Sequence, residues 1–372
     1  MKSSVIVYTQ LYSFGGIEYL FVQLAKFLKK KKIKLIIICF ENKINFSKYE
    51  KNIKLIKLSN NQNALNKAYD LKKTINKLNH VGRILLYDGK SAAYAHLSKI
   101  KNYNVALTDP PSLMKLSRIK KKSVQNIQSK TKDFIYEKFI KYGVENAQKV
   151  FVMSKWNAKE FKKSYKIKPK IIYPGIYGQF NKRSVQVKKF QFKRNLNLIF
   201  IGRLVKSKNI DWLLYALRNL LNKNRKTKYF KDIILRIVGH GPEIVSLNKK
   251  IKKYNLKNNI KFYGLVSETK KNLLLATSHF NLMPAFSAYN LPALESIRVG
   301  VPVVINELCR MNEVLRNNKL AKITKNNQLN FSKSLLTYIE ELKKKKIKEY
   351  KVSNLPTFKN WAHELSKSCG WY

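Results

Sequence analysis

Arg203 and Lys208 carry the clearest chemistry in this 372-residue chain. They follow an apolar run at 198–201, in the order Gly202-Arg203-Leu204, three further residues, then Lys208. Arginine offers a planar fork of donors and lysine a point charge. Two fixed cations at the carboxyl end of a strand suit the two phosphates of a diphosphate. Glu295 supplies the complementary group. It lies on a short helix expected to start near Pro292 and to end at Gly300, ahead of a buried strand at 301–305. A carboxylate accepts from two vicinal hydroxyls, so Glu295 suits a ribose diol. An isolated lysine means nothing in so Lys-rich a chain; the ordered set of strand, Gly-Arg-Leu, spacer, Lys and amphipathic helix carries the signal.

Other strand-end motifs are more equivocal. Ser13-Phe14-Gly15-Gly16-Ile17-Glu18 follows an expected strand at 5–9 and opens a helix over 17–28. Gly15 and Gly16 allow close backbone approach, and a helix N-terminus presents unpaired N–H groups to an anion. A plain strand-to-helix turn accounts for the glycine pair as well. Val238-Gly239-His240-Gly241-Pro242 and Phe262-Tyr263-Gly264-Leu265-Val266 each end a strand, and turn chemistry alone explains His240. Asp109, in Thr108-Asp109-Pro110, either accepts a proton or caps the turn before the proline.

The elements that must position these residues alternate along the whole chain. Strands are expected at 5–9, 35–40, 53–58, 83–87, 150–153, 170–173, 198–201, 233–238, 260–262, 280–283 and 301–305. They are nearly continuous in apolar residues, as in a parallel sheet with helices on both faces. Between them, apolar positions recur at helical spacing, as in Ile17, Leu20, Phe21, Leu24, Ala25 and Leu28, or Ile210, Leu213, Leu214, Leu217, Leu220 and Leu221. The fold class is therefore α/β, doubly wound. Single cores stop growing at roughly 250–300 residues, so this length implies two domains.

Lys and Arg number 76 against 21 Asp and Glu, a net charge of +55. Three readings stay open: compositional drift toward Lys, Asn and Ile; attraction to an anionic membrane surface; and nucleic acid. The excess is spread through both halves and no nucleic-acid module is recognisable, so nucleic acid is the least favoured partner. Cys39, Cys309 and Cys369 lack ligand spacing and read as free thiols, which suits a reducing compartment. The apolar run at the amino terminus is too short for a signal-peptide core, and no stretch of about 18 uncharged apolar residues exists. A cytoplasmic protein, in one variant peripheral on the inner face of the cell membrane, is the expectation.

The ordered motifs over 198–305 resemble the nucleotide-sugar half of retaining glycosyltransferases of the GT-B fold, family four (glycosyl transferases group 1). The resemblance extends over nearly the whole chain. It implies two facing Rossmann-like, doubly wound domains. The first would be an acceptor-side domain at 1–178, and the second a nucleotide-sugar-binding domain at 179–352. A C-terminal helix within 353–372 would cross back to the first domain. By the same resemblance Arg203 and Lys208 stabilise the leaving diphosphate, and no metal or other cofactor is required. Gly15 and Gly16 face the donor phosphates, with Gly202 in the loop that carries the clamp. The backbone at Leu265 and Val266 meets the nucleobase. Asn290 and Leu291 offer N–H groups to the β-phosphate, and Glu295 holds the ribose. Two departures from the family pattern stand out. Ser287 replaces the first of two glutamates, the one that touches the transferred sugar, and Thr108 replaces a histidine near the acceptor. Asp109 remains as a candidate catalytic or acceptor-side residue.

The implied function is retaining transfer of a sugar from a nucleotide diphosphate donor, a UDP-sugar by preference. The implied acceptor is a glycan or lipid-linked molecule in cell-surface polysaccharide, lipopolysaccharide or glycolipid synthesis. Partners are then the donor, the acceptor and an anionic membrane surface. The alternative is a non-catalytic membrane- or polyanion-binding protein on a degenerate GT-B scaffold. Ser287 and Thr108 favour it; intact Arg203, Lys208 and Glu295 oppose it.

Overall fold

A computed structural model describes residues 2–12, 14–112, 127–176, 184–185, 195–286, 289–344, 350–351 and 355–372. The chain forms two compact units, Met1–Tyr177 with Pro356–Tyr372, and Gly178–Leu355.

The first unit is built on seven parallel strands: β1 (Lys2–Val7), β2 (Ile33–Cys39), β3 (Ile53–Lys57), β4 (Ile84–Leu86), β5 (Tyr103–Leu107), β6 (Val150–Val152) and β7 (Lys170–Ile171). Their order is β3-β2-β1-β4-β5-β6-β7, so the winding reverses between β1 and β4. Crossovers run through α1 (Gly16–Lys29), α2 (Ala64–Asn76), α3 (Gly89–Leu97), α4 (Ile127–Glu145) and α5 (Lys155–Tyr165). Asp88 caps α3 through Ser91 N–H, and its other oxygen accepts from the N–H and hydroxyl of Thr9, which ties the ends of β1 and β4 together.

The second unit holds β8 (Asn195–Ile201), β9 (Asp232–Val238), β10 (Ile260–Gly264), β11 (Phe280–Met283), β12 (Val303–Asn306) and β13 (Ala321–Thr324). The sheet is again parallel, in the order β10-β9-β8-β11-β12-β13. This is the Rossmann arrangement, with its switch point between β8 and β11. Helices α6 (Ile210–Thr227), α7 (Ile244–Lys253), α8 (Glu268–Ala276), α9 (Leu291–Arg298), α10 (Asn312–Leu315) and α11 (Gln328–Lys344) complete it. Strand β8 shows why its sequence does not alternate. Leu196, Leu198 and Phe200 pack with Leu213, Leu217 and Leu335 in one core, whereas Ile199 and Ile201 join Leu274 and Leu275 in another. Both faces are covered, so both must be apolar.

The last helix, α12 (Phe358–Cys369), belongs to the first unit. Phe358 meets Tyr19 of α1 edge-to-face at 5.5 Å, and Trp361 is buried. Beyond the helix, Trp371 donates its indole N–H to Arg83 O (2.9 Å), and Arg83 N–H donates to Cys369 O (2.7 Å). Buried Asn104 on β5 donates to Ser368 O (3.3 Å). The outgoing and returning chain segments pair with each other, Ile176 N–H to Pro356 O and Phe358 N–H to Ile176 O, both 3.1 Å. Gly175 lets the two backbones meet, since a Cβ there would lie 2.2–2.3 Å from Thr357 main-chain atoms.

Every strand expected from the sequence exists, most with shifted ends and Phe280–Met283 with the expected ones. The first runs from Lys2 to Val7 and stops two residues earlier than expected; β12 starts at Val303 rather than 301. Strands β5 and β13 were not among the expected strands. Tyr103–Leu107 carries Asn104 at its second position, and Ala321–Thr324 is a half-exposed edge with Lys322 and Thr324, so neither gives a continuous apolar run. All three cysteines are free and buried. Among the described residues no helix is long and apolar enough to cross a membrane.

Candidate functional site

In the second unit, three successive strand-end loops interlock by backbone. Gly202 N–H donates to Val238 O (3.0 Å), Leu204 N–H to His240 O (3.0 Å), and Gly239 N–H to Gly264 O (2.8 Å). A Cβ on Gly239 would lie 1.9 Å from Gly202 O, and one on Gly241 would lie 2.3 Å from Leu204 O. The two glycines of Gly-His-Gly-Pro therefore serve to let the arginine-bearing loop lie flat on its neighbour. Leu204 is buried beneath that loop, whereas Arg203 is exposed.

Lys208 ends a short 3-10 turn, Lys206–Lys208, and Asn209 follows in the left-handed conformation with φ 47. Asn209 Nδ2 donates to Pro284 O (3.0 Å), and Asn306 Nδ2 donates to the same carbonyl (3.0 Å). One acceptor thus joins the loops after β8, β11 and β12, at the switch point where a doubly wound sheet opens a crevice. Cys309, in the loop after β12, reports the proximity of Lys208. Burial pushes its thiol up, while the Met311 backbone hydrogen bond and the charges of Lys208 and Arg310 oppose that shift.

Glu295 lies on α9, 7% exposed. Its Oε1 accepts from Lys271 Nζ at 2.9 Å, and Lys271 also reaches Glu268 Oε2 at 2.9 Å. Burial pulls the Lys271 ammonium down, but Glu295 and then Glu268 outweigh it and raise the net value. Glu295 Oε2 is buried and has no hydrogen-bond partner among the described residues. Asn290 precedes α9, with Pro292 in the first turn; its side chain donates to Met283 Sδ (3.1 Å) and so faces the core, leaving only backbone for a ligand. Leu291 is buried, Val266 is half-buried against the cluster of Ile199, Ile201, Val238, Leu274 and Leu275, and Leu265 is 76% exposed. Ser287 lies outside the described residues.

Gly15, Gly16 and Asp109 belong to the first unit. Gly15 N–H donates to Glu18 Oε2 (2.9 Å), so the carboxylate of Glu18 caps its own helix N-terminus. The phenol of Tyr8 is raised by burial first, then by Glu18, Asp88, Tyr87 and Asp109. Asp109 and the Gly15–Gly16 turn therefore share one neighbourhood at the carboxyl ends of β1, β4 and β5.

The structure thus brings Gly202, Arg203, Lys208, Leu265, Val266, Asn290, Leu291 and Glu295 to the carboxyl ends of one sheet, and Gly15, Gly16 and Asp109 to those of the other. Sequence reasoning missed Asn209, Asn306 and Lys271. The first two directly follow a motif residue or a strand end; Lys271 has no signal in so lysine-rich a chain. Among the described residues, no group of three or more His, Cys, Asp or Glu could hold a metal ion.

Comparison with known proteins agrees with this architecture. The family model of glycosyl transferases group 1 matches residues 182–353. The sequence itself matches no curated protein. Among solved structures, WaaG, a glycosyltransferase involved in lipopolysaccharide biosynthesis, aligns with a TM-score of 0.68 at 16% identity, over 99% of this chain and 96% of that one. Sucrose-phosphate synthase from Thermosynechococcus elongatus aligns at 0.70 and 13% identity, over 100% and 95%. Anabaena HepE in complex with UDP aligns at 0.65 and 14% identity, over 100% and 96%. The chain has the GT-B fold, and residues 182–353, which fall almost wholly in its second unit, are similar to the family model of glycosyl transferases group 1.

Proposed function

We propose that this protein is a retaining glycosyltransferase that takes a sugar from a nucleotide diphosphate, a UDP-sugar by preference, and passes it to a glycan or lipid-linked acceptor. The observation that carries the reading is the convergence of the Arg203–Lys208 loop with the loops after β11 and β12, together with a buried carboxylate, Glu295, on the helix that follows β11. Anabaena HepE, of the same fold, has been solved with UDP-glucose, which supports a uridine nucleotide as the first donor to test.

In this reading Arg203 and Lys208 take over the diphosphate as charge develops on it during departure. Preorganised cations need no rearrangement at that moment, which is why they lower the barrier. They supply the charge that a divalent metal provides elsewhere, so transfer proceeds without one. The N–H groups at the start of α9, at Asn290 and Leu291, add partial positive charge for the β-phosphate. Glu295 accepts from the ribose hydroxyls. Backbone at Leu265 and Val266 borders the base, and Ser287 leaves the sugar pocket without a carboxylate on that side. Retention follows when the acceptor hydroxyl attacks from the leaving-group face, with no protein nucleophile; Asp109, Gly15 and Gly16 are assigned to the first unit's share of substrate binding. The basic surface suits attachment to anionic lipid at the cytoplasmic face, and the involvement of WaaG in lipopolysaccharide biosynthesis supports a cell-surface glycolipid or polysaccharide as the product.

The test is donor hydrolysis over a panel of UDP- and GDP-sugars in metal-free buffer, by wild type and by Arg203→Ala. Turnover of one donor, reduced about 10²–10³-fold in the variant, is expected. No turnover and no nucleotide binding would instead favour a non-catalytic, polyanion-binding scaffold.

A further inference from the structure

Glu295 is a poor choice of residue for a site that receives a diphosphate, because its own charge repels the ligand. It is also costly to bury: an ionised carboxylate that is 7% exposed needs compensation. Lys271 answers both problems. It stands on α8, three residues into the helix that follows the Leu265–Val266 loop, and its ammonium bonds Glu295 Oε1 at 2.9 Å. The side chains are 13% and 9% exposed, so solvent screens the pair little. Glu268 Oε2, at 2.9 Å on the same helix, fixes the ammonium from its other side.

Two features distinguish this pair from a plain structural ion pair. Lys271 engages only one oxygen of Glu295, and the other, Oε2, is buried without a hydrogen-bond partner among the described residues. A buried acceptor left unmade is destabilising in the free protein, and that cost is relieved when a ligand hydroxyl arrives. The pairing also joins the helix after the proposed base-binding loop to the helix that starts at the proposed phosphate-binding turn.

We infer that Lys271 is a positioning residue for nucleotide recognition, holding Glu295 oriented so that Oε2 is reserved for a vicinal diol of the ligand. The inference rests on the proposed ribose role of Glu295. Lys271 touches no reacting atom; its effect reaches the ligand through the carboxylate. Removing it leaves Glu295 buried without its ion-pair partner, and the side chain is then free to turn toward solvent. A protein that distinguished nucleotides by their diol then loses that discrimination.

The experiment measures affinities for UDP and for 2′,3′-dideoxy-UDP by calorimetry on the full chain. Wild type should prefer UDP by about ten- to a hundredfold, the range for hydrogen bonds to a charged acceptor. Lys271→Met should bring that ratio close to one, as should Glu295→Gln, whereas Lys271→Arg should keep most of it. Should the Met variant fail to fold, Lys271→Gln serves in its place beside the Arg rescue. If Glu295→Gln erases the preference but Lys271→Met or Lys271→Gln leaves it intact, the positioning role is overturned while the ribose role stands. If wild type shows no preference, or does not bind UDP, the ribose role falls and Lys271 with it.

Discussion

Replacing Gly239 with alanine should both destabilise the second unit and disarm its proposed phosphate clamp. Gly239 has φ +134, a conformation that L side chains rarely adopt. The new Cβ would lie 1.9 Å from Gly202 O, and real Cβ atoms essentially never come closer than 3.0 Å. The loops after β8 and β9 must therefore part by roughly 1 Å, the gap between those two distances. Parting them weakens two bonds, Gly202 N–H to Val238 O and Leu204 N–H to His240 O, both 3.0 Å. Each such bond contributes about 1 kcal/mol net. Strained backbone adds about 1–3 kcal/mol, so the expected loss is about 3–5 kcal/mol if both bonds are lost. Arg203 follows Gly202 directly, and a misplacement of 1 Å costs about 10²-fold in rate. Urea unfolding measures the first effect; UDP titration and donor turnover measure the second. Gly16→Ala is the control, because nothing lies within 4 Å of its Cβ, and its cost should stay below about 0.5 kcal/mol. A Gly239→Ala protein as stable as the control, with wild-type UDP affinity, would refute the interlocked-loop reasoning.

Three further outcomes are expected. Gly82→Ala should destabilise the first unit by about 2–4 kcal/mol, since φ is +67 and the new Cβ meets Cys369 O and Gly370 O at 2.4 Å; unfolding at the wild-type urea midpoint would contradict it. Burial pushes the thiol of Cys39 up to about 11 and that of Cys369 up to about 12, from 9.0. Folded values above unfolded ones mean that this stability is fully present below pH 9 and is lost as pH rises through 11–12; unfolding free energy that stays flat from pH 8.5 to 11 rejects that. The net charge of +55 should bind vesicles containing anionic lipid at low salt and release them as salt rises; equal co-sedimentation with neutral vesicles would leave compositional drift as the explanation.

Much of the architecture was legible because parallel strands covered on both faces leave a simple record. Leu198–Ile201 and Phe280–Met283 are apolar at every position except Asn281, and the structure makes both central. Strand ends were less legible. Thr9 has no sequence mark that stops β1 at Val7; the stop reflects Asp88, 79 residues on, taking the Thr9 N–H. Strand β5 hid behind Asn104, whose burial makes sense only once Ser368, at the far end of the chain, stands next to it. The same contrast holds in the site. Arg203, Lys208 and Glu295 are readable because their residue types and order carry chemistry. Asn209 and Asn306 act by gripping the carbonyl of Pro284, and Lys271 acts by reaching Glu295 across 24 residues, which no local pattern encodes.

The most direct measurement is a crystal structure of the protein with UDP. The diphosphate should lie on Arg203 and Lys208 at the β8–β11 switch point, with the ribose hydroxyls on Glu295 Oε2 and the base beside Leu265 and Val266. UDP bound elsewhere, or bound here with its diphosphate away from both cations, would contradict the assignment.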